Sequence, residues 1–142
     1  ANAQAVAASE STEIDITTYE NMPTAIDKAY KTISGNYVFE LHAAGFGING
    51  DAYYNPSGEY INIKVSVTAD GKILACETVS QKETDGIGSA CADSNFYSQF
   101  AGKDETNYGE IDAISGATIT TNGYKTGVSK VFEAVKILEG VA

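Results

Sequence analysis

Midway along the chain, apolar and polar residues alternate with a period of two. Ile61, Ile63, Val65 and Val67 are separated by Asn62, Lys64 and Ser66, and a second such run follows Asp70-Gly71. This pattern predicts a β-hairpin from residues 60–68 and 72–79, closed by the Asp-Gly turn. Setting Ala69 opposite Lys72 pairs Lys64 with Glu77 on one face and Val65 with Cys76 on the other. In that register Ile61, Ile63, Val65 and Val67 share an apolar face with Leu74 and Cys76. Upstream, Tyr37, Phe39 and Leu41 alternate in a strand beginning near Asn36, which sends His42 to the opposite face as a partly exposed strand histidine.

Other stretches carry a helical period. Tyr124, Val128, Val131, Phe132, Val135 and Leu138 recur at helix spacing, predicting a helix over residues 122–138 capped by Thr120, Thr121 or Asn122. Ala25, Ile26, Ala29, Tyr30 and Ile33 form a similar stripe behind Pro23, with Gly35 as the stop, and predict a helix over residues 23–34. A third helix is expected over residues 89–100. Together these elements predict one α+β domain, a twisted and mainly antiparallel sheet built around the central hairpin with helices packed on it. The pattern leaves the strand order open.

The remaining segments read as connections. Residues 1–13 are Ala/Ser-rich without useful periodicity and are expected to be a disordered linker or leader, leaving residues 14–142 as the domain. Gly45-Phe46-Gly47, Asn49-Gly50 and Asn55-Pro56-Ser57-Gly58 mark a polar, turn-rich insert.

Charge narrows the function classes. The net charge is -10, which argues against nucleic acid as a partner, because phosphate backbones need clustered basic side chains. All 9 basic residues are lysines. Without arginine the chain lacks the bidentate fork that usually grips phosphate, so a phosphate must rely on backbone amides, hydroxyls, a lysine or a covalent bond. The 2 cysteines, Cys76 and Cys91, fit no zinc spacing, and a disulfide between them is not favoured. With 1 histidine, a two-histidine metal site is excluded and a hydrolytic triad would have to recruit His42.

The chemistry concentrates in Asp112-Ala113-Ile114-Ser115-Gly116-Ala117-Thr118, a small-residue turn bearing hydroxyls just before the long amphipathic helix. Small residues let an anion approach the backbone, and the amides and dipole of a helix's first turn favour negative charge. An ordinary turn, with Asp112 or Ser115 bonded to local backbone, would account for the same run. A second segment, Glu83-Thr84-Asp85-Gly86-Ile87-Gly88, is acidic and glycine-rich, but it lacks the third glycine and the βαβ setting of a dinucleotide fingerprint.

The first run resembles the attachment motif of the FMN-binding domain family, D-x-x-[S/T]-G-A-[T/S], whose last hydroxyl is esterified to the phosphate of FMN. The second resembles the family's E-T-P-G-[I/L]-G loop, which follows a D-G-K-[I/V] hairpin matched here by Asp70-Gly71-Lys72-Ile73. Asp85 stands where the family usually has proline. Phe100-Ala101-Gly102-Lys103 is similar to the F-x-G-K that precedes the attachment motif.

The resemblance spans residues 36–138 and implies an electron carrier with FMN as cofactor, bound covalently through Thr118. Flavin contacts are expected from Ser115, Gly116, Ala117, Ile119 and Thr120, from Glu83, Thr84, Gly86, Ile87 and Gly88, and from Phe46 as a packing surface. Asp112 is expected to serve recognition by a separate flavin transferase that uses FAD. Family members include flavin-carrying subunits of the Rnf-type ferredoxin oxidoreductase, of the sodium-translocating NADH:quinone oxidoreductase, and extracellular electron-transfer flavoproteins. Expected partners are therefore the transferase, redox donor and acceptor proteins, and a membrane electron-transfer complex. The expected location is extracytoplasmic, with an anchor preceding Ala1. A noncovalent FMN domain, or a non-redox surface module using the tyrosines of residues 51–60, are the alternative readings.

Overall fold

A computed structural model describes residues 11–44, 60–81 and 88–141. Five strands, β1 (Ser11–Ile14), β2 (Ile26–Thr32), β3 (Tyr37–Ala43), β4 (Ile61–Val67) and β5 (Ile73–Ser80), form one sheet in the order β1-β2-β3-β4-β5. Every neighbouring pair is antiparallel, so the chain meanders without a crossover. A short helix α1 (Ser94–Tyr97) and a long helix α2 (Thr118–Leu138) complete the α+β architecture.

The apolar faces meet as their periodicities require. Tyr124, Val128, Val131, Phe132 and Val135 of α2 are buried with Tyr37, Phe39, Leu41, Ile61, Ile63, Val65 and Val67 of the sheet. The opposite face carries charges of alternating sign across four strands, because Lys28 lies opposite Glu40, Glu40 opposite Lys64, and Lys64 opposite Glu77. Adjacent unlike charges suit a solvated face. His42 sits on that side as expected, half-buried, with its Nδ1 2.8 Å from Asp27 Oδ1.

The hairpin register holds at its centre, where Lys64 pairs with Glu77 and Val65 with Cys76. Near the turn it departs from expectation, because Ser66 pairs with Ala75 while Val67 pairs with Ile73. Leu74 is thus the extra residue of a bulge and is 38% exposed, while Ile73 takes the core position expected for Leu74. A second irregularity between Asn62 and Ile63 skips Val79, which is also exposed.

Residues 23–34 do not form the expected helix; they supply β2. The cause is again a bulge. Ile26 pairs with Leu41 and Lys28 with Glu40, so Asp27 is extra, and Ile26 and Ala29 face the core together although three residues apart. A spacing of three is also what a helix produces. Ala25 is buried as well, but the end of the supposed stripe is not: Tyr30 is half-buried and Ile33 is exposed.

Three further boundaries shift. Ser11, Thr12 and Glu13, assigned above to the leader, belong to β1, where they pair with Thr32, Lys31 and Tyr30; residues 1–10 lie outside the described residues. The expected helix over residues 89–100 is broken into a 3-10 turn Gly88–Ala92, α1, and a 3-10 turn Ser98–Phe100. Asp93 interrupts it with extended backbone (φ -80, ψ 137), and its carbonyl accepts from Phe96 and Tyr97 to start the next turn. The resulting curl delivers Cys91, Phe96 and Phe100 to the core. Finally, α2 begins at Thr118 with Ala117 at its N-cap, so Thr120 and Thr121 lie inside its first turn and do not cap it.

Candidate functional site

The segment entering α2 is held in place by hydrogen bonds while its chemistry-bearing side chains remain in solvent. Asp112, Ser115, Gly116 and Thr118 are exposed, whereas Ala117, Thr120 and Thr121 are buried. Ala117 N–H donates to the Ile114 carbonyl (3.0 Å), closing a turn over Ser115 and Gly116. Gly116 has φ +74, the left-handed region that a type II turn demands at its third position. A Cβ there would meet nothing within 4 Å, so the turn faces open space and its glycine serves backbone conformation.

Thr121 ties this turn to the helix. Its hydroxyl donates to the Ala117 carbonyl (2.9 Å) and accepts from Ile114 N–H (3.1 Å). Thr118, the first helical residue, is exposed at a helix N-terminus whose N-cap, Ala117, has no side-chain oxygen to cap it. An uncapped first turn directs amide N–H groups and the positive end of the dipole at an incoming anion. The residues present therefore suit a phosphate brought to Thr118. Ile119 lies in the same turn, and its side chain is outside the described set.

Upstream, Gln99 grips the backbone of Asp112. Asp112 N–H donates to Gln99 Oε1 (2.7 Å), and Gln99 Nε2 donates to the Asp112 carbonyl (3.2 Å) and to the Phe96 carbonyl (3.1 Å). Between this segment and α1 lies a surface groove of about 370 Å³ lined by Asp93, Asn95, Phe96, Gln99, Asp112 and Ile114. A larger cavity of about 470 Å³, bordered by Asp70, Phe132 and Glu139, is at the opposite end of α2 and adjoins none of the predicted site residues.

Of the second predicted segment, Glu83, Thr84, Gly86 and Ile87 lie outside the described residues, as does Phe46. Gly88 opens the 3-10 turn that follows. The chain on either side of residues 82–87 is joined by a polar relay that runs from half-buried Thr78 into the core. Thr78 Oγ1 donates to the Cys91 carbonyl (2.6 Å), and Tyr124 OH lies 2.7 Å from Thr78 Oγ1 and 3.6 Å from Cys76 Sγ. Thr78 has one proton, already given to Cys91, so Tyr124 must donate to Thr78 and Cys76 to Tyr124. Burial pushes the Cys76 thiol up to about 12 and the Tyr124 phenol well above its usual value. Both cysteines are buried, and no disulfide joins them. Phe96 and Phe100 pack against the Tyr124 ring at centroid distances of 5.0 and 5.5 Å, fastening the α1 segment to α2.

The local pattern did not reveal Gln99 or Thr121 as anchors. A glutamine between two buried phenylalanines was the available sign at Gln99. At Thr121, its own position one turn into a helix with a buried stripe was the corresponding sign.

Among the described residues, no helix is long and apolar enough to cross a membrane. The chain matches the FMN-binding domain family over residues 57–133, which include β4, β5, the run from Asp112 to Thr118 and most of α2. It is 31% identical over 135 residues to one subunit of the proton-translocating ferredoxin:NAD(+) oxidoreductase complex of Clostridium ljungdahlii, covering 85% of this chain and 73% of that protein. Its fold is similar to that of one subunit of the Na(+)-translocating NADH-quinone reductase of Parabacteroides distasonis, with a TM-score of 0.53 and 21% identity. That likeness covers 78% of this chain and 61% of the solved one.

Proposed function

Because the chain belongs to the family of FMN-binding domains and FMN is its cofactor, we propose that it is an electron-carrying domain whose FMN is esterified to Thr118 by a separate flavin transferase. The observation that carries this reading is the exposed Thr118 on the first residue of a 21-residue helix whose N-cap is an alanine, at the end of a turn tied to that helix by Thr121. In the transfer from FAD, the Thr118 oxygen bonds to the phosphorus of the FMN half. The P–O bond linking the two phosphates breaks, AMP leaves, and the hydroxyl proton is released. FMN supplies the redox chemistry; this chain binds it, orients it and sets the charge around it.

Small residues at Ser115, Gly116 and Ala117 let the phosphate approach the backbone, and Thr118, Ile119 and Thr120 supply first-turn amides. Glu83, Thr84, Gly86, Ile87, Gly88 and Phe46 are assigned to the flavin ring on the family pattern. Asp112, exposed with its backbone gripped by Gln99, is assigned to recognition by the transferase. The named homologues are subunits of ion-translocating oxidoreductase complexes, which supports placing this domain in a membrane electron-transfer complex. Redox donor and acceptor proteins and an extracytoplasmic, anchored location belong to the same reading.

The test is co-expression with a flavin transferase followed by denaturation. Yellow colour and a mass gain of FMN less water should persist, and Thr118→Ala should abolish both. Colour lost on denaturation would point to noncovalent FMN, and a colourless chain to a binding module.

A further inference from the structure

We infer that Gln99 is a positioning residue for flavin attachment: it holds Asp112 and the acceptor segment in the geometry the transferase engages before the two proteins meet. This rests on the proposed attachment at Thr118. Gln99 lies 13 residues from Asp112, yet its amide accepts from Asp112 N–H at 2.7 Å and donates to the Asp112 carbonyl at 3.2 Å. That is the pairing a neighbouring β-strand would offer, supplied by one side chain. The orientation of the amide is dictated by Asp112 itself, since its N–H needs an oxygen and its carbonyl needs an N–H.

Gln99 is in turn fixed by its neighbours. Its Nε2 also reaches the Phe96 carbonyl at 3.1 Å, and its own carbonyl accepts from Lys103 Nζ at 3.2 Å. Phe96 and Phe100, on either side, are buried against Tyr124 of α2. A rigid path of packed rings thus runs from α2 through Gln99 to Asp112. Thr121 closes the circuit at the other end through Ile114 and Ala117. The acceptor segment is anchored at both ends to the same helix, and Asp112, Ser115 and Thr118 stay exposed between the anchors.

A segment held this way loses little further freedom when an enzyme binds it; a loosened one must be ordered on binding, which appears first as a raised KM. The experiment uses the full chain, purified transferase, FAD and magnesium, with initial rates measured against acceptor concentration. Gln99→Leu removes both hydrogen bonds to Asp112, along with that to the Phe96 carbonyl, and is expected to lower kcat/KM at least about tenfold, mainly through KM. Gln99→Glu keeps the acceptor for Asp112 N–H but loses the donor to its carbonyl, and should fall between wild type and Gln99→Leu. Amide hydrogen exchange at Asp112 should accelerate in Gln99→Leu and much less in Gln99→Glu, which keeps the acceptor, while the urea midpoint changes little because Gln99 is only half-buried. Wild-type kcat/KM in Gln99→Leu, or unchanged exchange at Asp112, overturns the positioning role and leaves attachment at Thr118 intact. Failure of the wild-type chain to be modified overturns both.

Discussion

Gly127 is where α2 comes closest to the sheet, and replacing it by alanine tests how the helix is seated. A Cβ at this position would lie 2.7 Å from Ala43 Cβ, 3.2 Å from Leu41 Cδ1 and 3.5 Å from Ala43 Cα. Carbon atoms rest about 3.5–4.0 Å apart, so the first contact overlaps by about 0.8 Å or more. Leu41 Cδ1 ends a side chain that can rotate, but Ala43 Cβ is bonded directly to β3. That strand is hydrogen-bonded between β2 and β4, with Ala43 opposite Ile61, so it cannot retreat. The helix must lift instead, and overpacking of this kind costs about 1–3 kcal/mol. Alanine also removes the penalty of a mid-helix glycine, worth about 1 kcal/mol. The net expectation is a destabilisation of about 1 kcal/mol, reaching about 2 if the helix cannot relax, read as a lowered urea midpoint at constant slope. In an Ala43→Gly background the clash disappears, and Gly127→Ala should then stabilise. A raised midpoint for the single variant, or an effect unchanged by Ala43→Gly, would refute this account of the helix–sheet contact.

Two further outcomes follow from the polar relay and its surroundings. Thr78→Val removes both the acceptor of the Tyr124 hydroxyl and the donor to the Cys91 carbonyl and should cost about 2 kcal/mol, whereas Tyr124→Phe leaves the Thr78–Cys91 bond intact and should cost less; the reverse order in urea melts would contradict Thr78 as the centre of the relay. Stability should also fall at alkaline pH. Burial raises Cys76 and Tyr37 to about 12, and raises Tyr124 as well, while an unfolded chain releases these protons from about pH 8.5 for cysteine and about 10 for tyrosine. The unfolded state therefore binds fewer protons above those values, so the stability is whole below about pH 8.5 and is lost as pH rises towards 12. A urea midpoint unchanged between pH 8 and 11 would count against it.

The hairpin was legible because two independent signals agreed, the alternation of Ile61 to Val67 and the Asp70-Gly71 turn, and its central pairs are those the pattern predicts. Bulges made the rest illegible. An extra Asp27 places Ile26 and Ala29 three residues apart on one face, which imitates a helix, and an extra Leu74 exchanges an apparent core residue for Ile73. β1 is a short edge strand, Ser11, Thr12 and Glu13 followed by a single apolar residue, Ile14, with too little alternation to separate it from the leader. The long helix announced itself through its buried stripe, but its start read four residues late. Thr120 and Thr121 have the chemistry of caps, and only the folded chain shows Thr121 serving Ile114 and Ala117 from inside the first turn. The run from Asp112 to Thr118 was visible as a motif. Its anchor at Gln99 was not, since a contact across 13 residues leaves no local periodicity.

The exposure of Thr118 bears on why a bond would be required at all. A free phosphate at the end of α2 would gain about 0.3–1 kcal/mol from the helix dipole at an exposed position. A tenfold change in affinity takes about 1.4 kcal/mol, so this gain is worth less than one decade. No arginine is available to add a bidentate grip, and 19 acidic residues against 9 lysines leave a field that opposes anions. Burying the phosphate would strengthen its contacts, but Asp112, Ser115, Gly116 and Thr118 all face solvent, as a segment offered to another enzyme must. On the proposed reading, accessibility to a transferase and noncovalent retention of the cofactor would make opposite demands on the same seven residues. An ester to Thr118 would satisfy both, reducing the fold's task to holding the oxygen where the transfer can reach it.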